Sequence, residues 1–113
     1  MHIEGKRILE RLIRKNRGNS RLAKAVDQLV KDLKTNSIDD IGDLLKIRND
    51  ADRVHSKGLY FFNLHIHRTL VFIEFEKDQA EILWAGTHEE YVRVFKNNTN
   101  TIEKWLRANT TWN

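Results

Sequence analysis

At 113 residues, 40% apolar and 32% charged, the chain suffices for one hydrophobic core and is too short for two ordinary domains. It contains no cysteine, which excludes a disulfide framework and a thiolate metal site and suits a reducing, cytoplasmic setting. The net charge of +4 is uneven: residues 1–34 hold ten Lys/Arg against four Asp/Glu, residues 59–91 two against six, and residues 92–113 four against one.

The opening residues Met1-His2-Ile3-Glu4-Gly5-Lys6 lack the apolar segment of a secretory leader, and no apolar run is long enough to span a bilayer, so no membrane partner is expected. Leu9, Leu12 and Ile13 then follow the i, i+3, i+4 spacing of a helix, which Gly18-Asn19-Ser20 breaks. Leu22, Val26, Leu29, Val30 and Leu33 form a second, longer stripe. Ser37-Ile38-Asp39-Asp40 predicts the cap of a short third helix, with Asp40 where Glu usually stands and a stripe of Ile38, Ile41, Leu44 and Leu45.

Past residue 50 the pattern becomes β-branched and aromatic. Leu59–Leu64, after Gly58, and Thr69–Phe75 read as strands, with a further candidate around Arg53-Val54-His55. Glu76-Lys77-Asp78-Gln79 reads as a polar hairpin turn and Glu81–Ala85 as the next strand. His65-Ile66-His67 joins the first two strands without the Gly, Asn or Asp that tight hairpins favour. Thr87-His88-Glu89-Glu90 carries the Thr-x-x-Glu signature of a capping box, opening a helix through Tyr91, Val94 and Phe95 that Asn97-Asn98 ends. Asn100-Thr101-Ile102-Glu103 predicts a second box, leading to Trp105 and Leu106. Helices, then adjacent strands, then helices predict one α+β domain over residues 1–113, with helices packed on one face of a small antiparallel sheet.

Several chemistries fall away on residue type and spacing. His65 and His67, two apart, would point both imidazoles to one side of a strand, but a catalytic zinc takes a third protein ligand. His2, His55 and His88 are candidates for it by residue type alone, so no metal or other cofactor is expected. The five glycines form no phosphate-cradling array, and no nucleophile elbow is present. Glu74 and Glu76 would share a strand face, an arrangement more typical of exposed carboxylates near a turn than of acid–base catalysis.

Metal-free cleavage of RNA by its own 2′-hydroxyl remains. It needs a base, an acid for the leaving 5′-oxygen, and cations for the crowded phosphorane. His88, Tyr91 and Arg93 lie near one strand-to-helix junction, and Arg68 adjoins the run Leu70-Val71-Phe72-Ile73. Arg68 either serves a phosphate with its planar fork or pairs with Glu74 or Glu76 at the sheet edge. The positive end of a helix dipole would bias His88 toward its neutral form, a better base than acid, whereas a bound phosphate would act the other way.

These motifs carry a resemblance. Phe62-Asn63-Leu64, Arg68 heading a hydrophobic strand, and Gly86-Thr87-His88-Glu89-Glu90-Tyr91 together resemble the HigB branch of the RelE/ParE toxin superfamily, over roughly residues 22–95. The segment from Phe95 to Leu106 is similar to the tail of some small RelE-like toxins. The resemblance implies N-terminal helices on an antiparallel sheet with C-terminal helices. It implies a ribosome-dependent mRNA endonuclease, an mRNA interferase that inhibits translation without a metal. It also implies a cognate antitoxin, usually a helix-turn-helix DNA-binding protein, which neutralises the toxin and brings it to operator DNA in autorepression.

On the matching positions the resemblance implies that Arg68 stabilises phosphate charge, His88 transfers a proton, and Tyr91 orients the RNA or assists. Asn63 would hold the strand pair together. Lys6, Arg7, Arg11 and Arg14, with Lys15 and Arg17, are candidates to contact RNA or to attract an acidic antitoxin; Arg93 and Lys96 are further candidates for RNA. The chain departs from the family in the shortened turn at His65-Ile66-His67. Two other readings stand beside this one: a ParE-like inhibitor of DNA gyrase that cuts no RNA, and a basic RNA-binding module in which Trp84, Trp105 and Trp112 stack on bases. Trp84 and Trp105 lie in apolar patterns, so core packing competes for them.

Overall fold

The computed structural model describes residues 1–95 and 99–110. A three-residue strand β1 (His2–Glu4) leads into α1 (Lys6–Lys15), which buries Leu9 and Leu12. Gly5 makes the turn between them at φ +78°, a conformation glycine adopts freely, and it lies so close to β5 that a Cβ there would meet the Ile82 carbonyl oxygen at 2.4 Å. α2 (Ser20–Thr35) buries Leu22, Val26, Leu29 and Leu33, and its N-cap Asn19 accepts a hydrogen bond from the Leu22 N–H at 3.0 Å.

The short helix α3 (Ile41–Ile47) starts later than its sequence suggests. Asp40 is its N-cap, not its third residue: the Asp40 carboxylate accepts the Asp43 N–H at 2.9 Å, and the Asp43 carboxylate accepts the Asp39 N–H at 3.1 Å. Ile38 is sunk into the core at 2% exposure ahead of the cap, while Leu45 is 41% exposed and falls outside the buried stripe.

Strands β2 (Asp52–His55), β3 (Leu59–Leu64), β4 (His67–Glu74) and β5 (Gln79–Thr87) join β1 in one sheet of order β1-β5-β4-β3-β2. The β2-β3-β4-β5 ladder is antiparallel, as expected, but β1 adds to β5 in parallel, with Ile3 opposite Ala80. Between β4 and β5 the register steps from Leu70↔Trp84 to Val71↔Ile82, leaving Leu83 as the extra residue of a bulge.

Side chains alternate across the sheet, and β3 is apolar at both parities. Tyr60, Phe62 and Leu64 enter one core with α1, α2 and Leu44; Leu59 and Phe61 enter another with Leu70 and the C-terminal helices α4 (His88–Phe95) and α5 (Thr99–Asn109). Both faces of the sheet are therefore covered, which corrects the one-face expectation. α5 begins before Asn100, so Asn100–Glu103 is not its capping box. Glu103 instead accepts from His55 Nε2 at 2.8 Å and ties β2 to α5, the tautomer being set by His55 Nδ1, which accepts from the Lys57 N–H. The Asn97-Asn98 break lies outside the described residues, as do Lys96 and Trp112. Trp84 and Trp105 pack at the rim of the second core.

Two carboxylate and imidazole pairs separate. His65-Ile66 is a complete two-residue hairpin turn, with Leu64 opposite His67. His65 is exposed at the tip while His67 is 3% exposed in β4, so the two share no strand face. Glu74 closes β4 and pairs with Lys77 at 3.3 Å, while Glu76 sits in the following turn.

Candidate functional site

The capping box forms with both of its bonds. The Thr87 N–H donates to Glu90 Oε1 at 2.9 Å, and the Glu90 N–H donates to Thr87 Oγ1 at 3.0 Å. The Thr87 backbone bond is the main cause holding the Glu90 carboxyl below its ordinary value; burial opposes it, while the Thr87 hydroxyl and the charges of Arg93 and Lys15 assist. β5 thus passes into α4 without a loop, and His88 stands in the first turn.

Tyr91 lies one turn on, where i, i+3 side chains meet. Its ring stacks with that of His88, centroids 5.7 Å apart and planes 27° from parallel, and meets Phe61 edge-on at 4.8 Å. The guanidinium carbon of Arg68 stands 4.5 Å from the same Tyr91 centroid. Arg68 and His88, twenty residues apart in sequence, therefore converge on the Tyr91 ring, which is itself 3% exposed. Arg68 pairs with neither Glu74 nor Glu76. Its neighbours in register are Asn63 on one strand and Gly86 on the other. Gly86 leaves no side chain in that row, and a Cβ there would come to 2.7 Å from the Trp84 ring and 3.1 Å from Glu90 Oε1.

The basic residues do not form a single patch. Lys6, Arg7, Arg11 and Arg14 are exposed on α1, and Arg93 is exposed on α4. Arg11 and Lys15 line a cleft of about 210 Å³ between α1 and β5, beside Trp84 and Ala85, and the charge of Lys15 reaches Glu90. Lys6 instead borders a separate apolar cleft of about 490 Å³ between α1 and α2, so near Lys34 that it holds the Lys34 ammonium below its ordinary value. Among the described residues no group of three or more His, Asp or Glu comes together to hold a metal ion. No helix among them is long and apolar enough to cross a membrane.

A family model for the HigB toxin, the RelE-like toxic component of a toxin–antitoxin system, matches residues 22–94. The chain belongs to the HigB toxin family. Comparison with curated proteins gives no significant match. The matched interval runs from α2 through most of α4 and contains Arg68, His88 and Tyr91, whereas α1 and its basic residues lie before it. Membership in the HigB family implies a cognate antitoxin as partner.

Two features of this HigB-family toxin escape sequence reasoning. Arg48, directly after α3, donates to Asp50 at 2.7 Å, to Asp32 at 3.4 Å and to the Asn63 carbonyl at 3.2 Å, and sits over the Phe62 ring at 5.7 Å. Asp50 also accepts the Asn63 N–H at 2.9 Å. Asn63 is thus held through its backbone while its side chain is exposed, so it is anchored by this network and does not itself clasp the strands. The only signal is an arginine and an aspartate two apart where a short helix ends.

The second feature is His67, opposite Thr87 and buried, with no partner for its Nδ1 among the described residues. Burial pushes its pKa below the ordinary 6.5, Glu90 pulls it up, and His65 adds to the lowering. An imidazole with a lower pKa folded than unfolded takes its proton more readily when unfolded. Its contribution to stability is therefore complete above pH 6.5 and falls as the pH drops below that value. In urea unfolding at about pH 7.5 and about pH 5, His67→Leu is expected to lose less stability on acidification than the parent. Parallel losses in the two proteins would refute this.

Proposed function

We propose that this HigB-family toxin is a ribosome-dependent mRNA endonuclease that inhibits translation. The observation that carries the reading is the convergence of the Arg68 guanidinium and the His88 imidazole on the Tyr91 ring, at a junction fixed by the Thr87–Glu90 box. In this reaction the 2′-oxygen of the RNA attacks the adjacent phosphorus and the bond from phosphorus to the 5′-oxygen breaks. The products are a 2′,3′-cyclic phosphate and a 5′-hydroxyl. One proton leaves the 2′-hydroxyl and one arrives on the departing 5′-oxygen. His88 serves proton transfer, Arg68 the negative charge that builds on the phosphorane, and Tyr91 holds both groups and the RNA in place. Arg11 and Lys15 along the cleft toward Glu90, with Arg93, supply positive charge for the RNA backbone. The antitoxin in this reading is a helix-turn-helix protein that carries the toxin to operator DNA.

The test is controlled expression followed by mapping of transcript 5′ ends, with and without translation. Cuts within translated frames that vanish when translation is blocked are expected. A folded His88→Ala protein should cut about 10²–10⁴-fold more slowly. Growth arrest accompanied by DNA-damage signalling and intact transcripts would overturn the reading in favour of gyrase inhibition.

A further inference from the structure

The hairpin tip His65–Ile66 is built against its own stability. Of its two residues only His65 has a positive φ, at 61°, which is the pattern of a type II′ turn with its first central position filled by a residue other than glycine. A side chain there is strained. Ile66 is 62% exposed, against 43% for Val92 and 41% for Leu45, the other exposed large apolar residues among those described. The turn thus combines a strained histidine with an isoleucine that makes no use of its apolar surface. Gly followed by Ser or Asn would close the same hairpin without either cost.

The place of this tip gives the two residues a use. β3 and β4 end their pairing at Leu64↔His67, and β4 and β5 end theirs at His67↔Thr87. The tip therefore projects from the end of the sheet where His88 begins α4, with Arg68 one residue inside β4. Adjacent strands lie about 5 Å apart, so the tip stands within roughly 10 Å of the His88 backbone, the span of a single nucleotide or two. An exposed imidazole plane stacks on an unpaired base, and an aliphatic side chain packs against a base face or wedges between two. Neither needs a charge, which leaves phosphate recognition to Arg68.

We infer that His65 and Ile66 form a base-contacting tip for single-stranded RNA at the mouth of the Arg68–His88–Tyr91 site, an inference that rests on the nuclease reading and adds to it the element that grips the bases. The double variant His65→Gly/Ile66→Ser supplies regular turn chemistry and removes both side chains. Its thermal midpoint should rise by about 2–6 °C. Its affinity for a short fluorescein-labelled single-stranded RNA, read by anisotropy, should fall about tenfold. Ile66→Ser alone, which leaves His65 in place, should show part of the same loss and serves if the double variant is unstable.

Unchanged RNA affinity in a folded variant would overturn the inference, as would a parent that binds no RNA. A variant that binds RNA like the parent but loses affinity for the antitoxin would assign the tip to a protein partner instead. If the parent binds RNA through the tip yet cuts no transcript, the nuclease reading fails while the RNA contact stands. If parent and variant bind and cut alike, the nuclease reading stands and the tip is only a turn.

Discussion

Replacing Arg68 by alanine is expected to slow transcript cleavage by about 10²–10³-fold and to relieve growth arrest, with the protein still folded. Arg68 is half-buried, and its guanidinium stands over the face of the Tyr91 ring. No carboxylate there claims its guanidinium, so the donors of the fork remain available to a phosphate oxygen. Losing the ring contact costs only about 1 kcal/mol of stability, too little to unfold the domain. Arg68→Lys keeps the charge but loses the planar fork that spans two oxygens and lies flat on an aromatic ring, so it should recover only a minor part of the activity. The measurements are transcript cleavage in cells and thermal unfolding of the purified proteins. An Arg68→Ala protein that is folded and as toxic as the parent would remove Arg68 from the mechanism.

Arg48→Met is expected to have the largest effect on stability, about 2–3 kcal/mol. Methionine keeps an apolar contact with Phe62 but leaves Asp50 and Asp32 without their cation and the Asn63 carbonyl without the Arg48 donor. The side chains are mostly buried, at 13% exposure for Arg48, 16% for Asp32 and 18% for Asp50, so water compensates only in part. In urea the midpoint should fall with the slope unchanged. Asn63 faces Arg68 across β3 and β4, so loosening this anchor also loosens the row that carries Arg68. A midpoint within experimental error of the parent would show that the network contributes nothing net.

The parts of this molecule legible in its sequence are those written in short spans. The Thr87–Glu90 box is legible because its two bonds are reciprocal and three residues apart. β3 is legible from end to end because aromatic and apolar residues fill all but one of its positions. The same run, Leu-Tyr-Phe-Phe, already marks burial on both faces, since a strand with one wet face alternates. What stayed hidden depends on distant partners. β1 has three residues and exists because β5 offers it an edge. Arg48 gains meaning from Asp32 and Asn63, each many residues away. His67 belongs to β4 because the turn takes up only His65 and Ile66, which the sequence does not mark. For the candidate site, residue types and the junction were readable, but the shared ring that gathers Arg68 and His88 follows from register alone.

The pairing of Ile3 with Ala80 also sets an order of events. β1 leaves the ribosome before β5 and must wait for a partner synthesised nearly eighty residues later, several seconds at ordinary elongation rates. Local pairings, such as the β3–β4 hairpin, cost little loop entropy and can form early; closing the β1–β5 edge costs the most. Gly5 and α1 dock against β5 at that same closure, and β5 runs directly into the Thr87 cap. The strand that leads into the His88 junction thereby also takes part in the most sequence-distant strand pairing of the sheet. A nascent or partly unfolded chain would carry the residues of the site well before it carries the site.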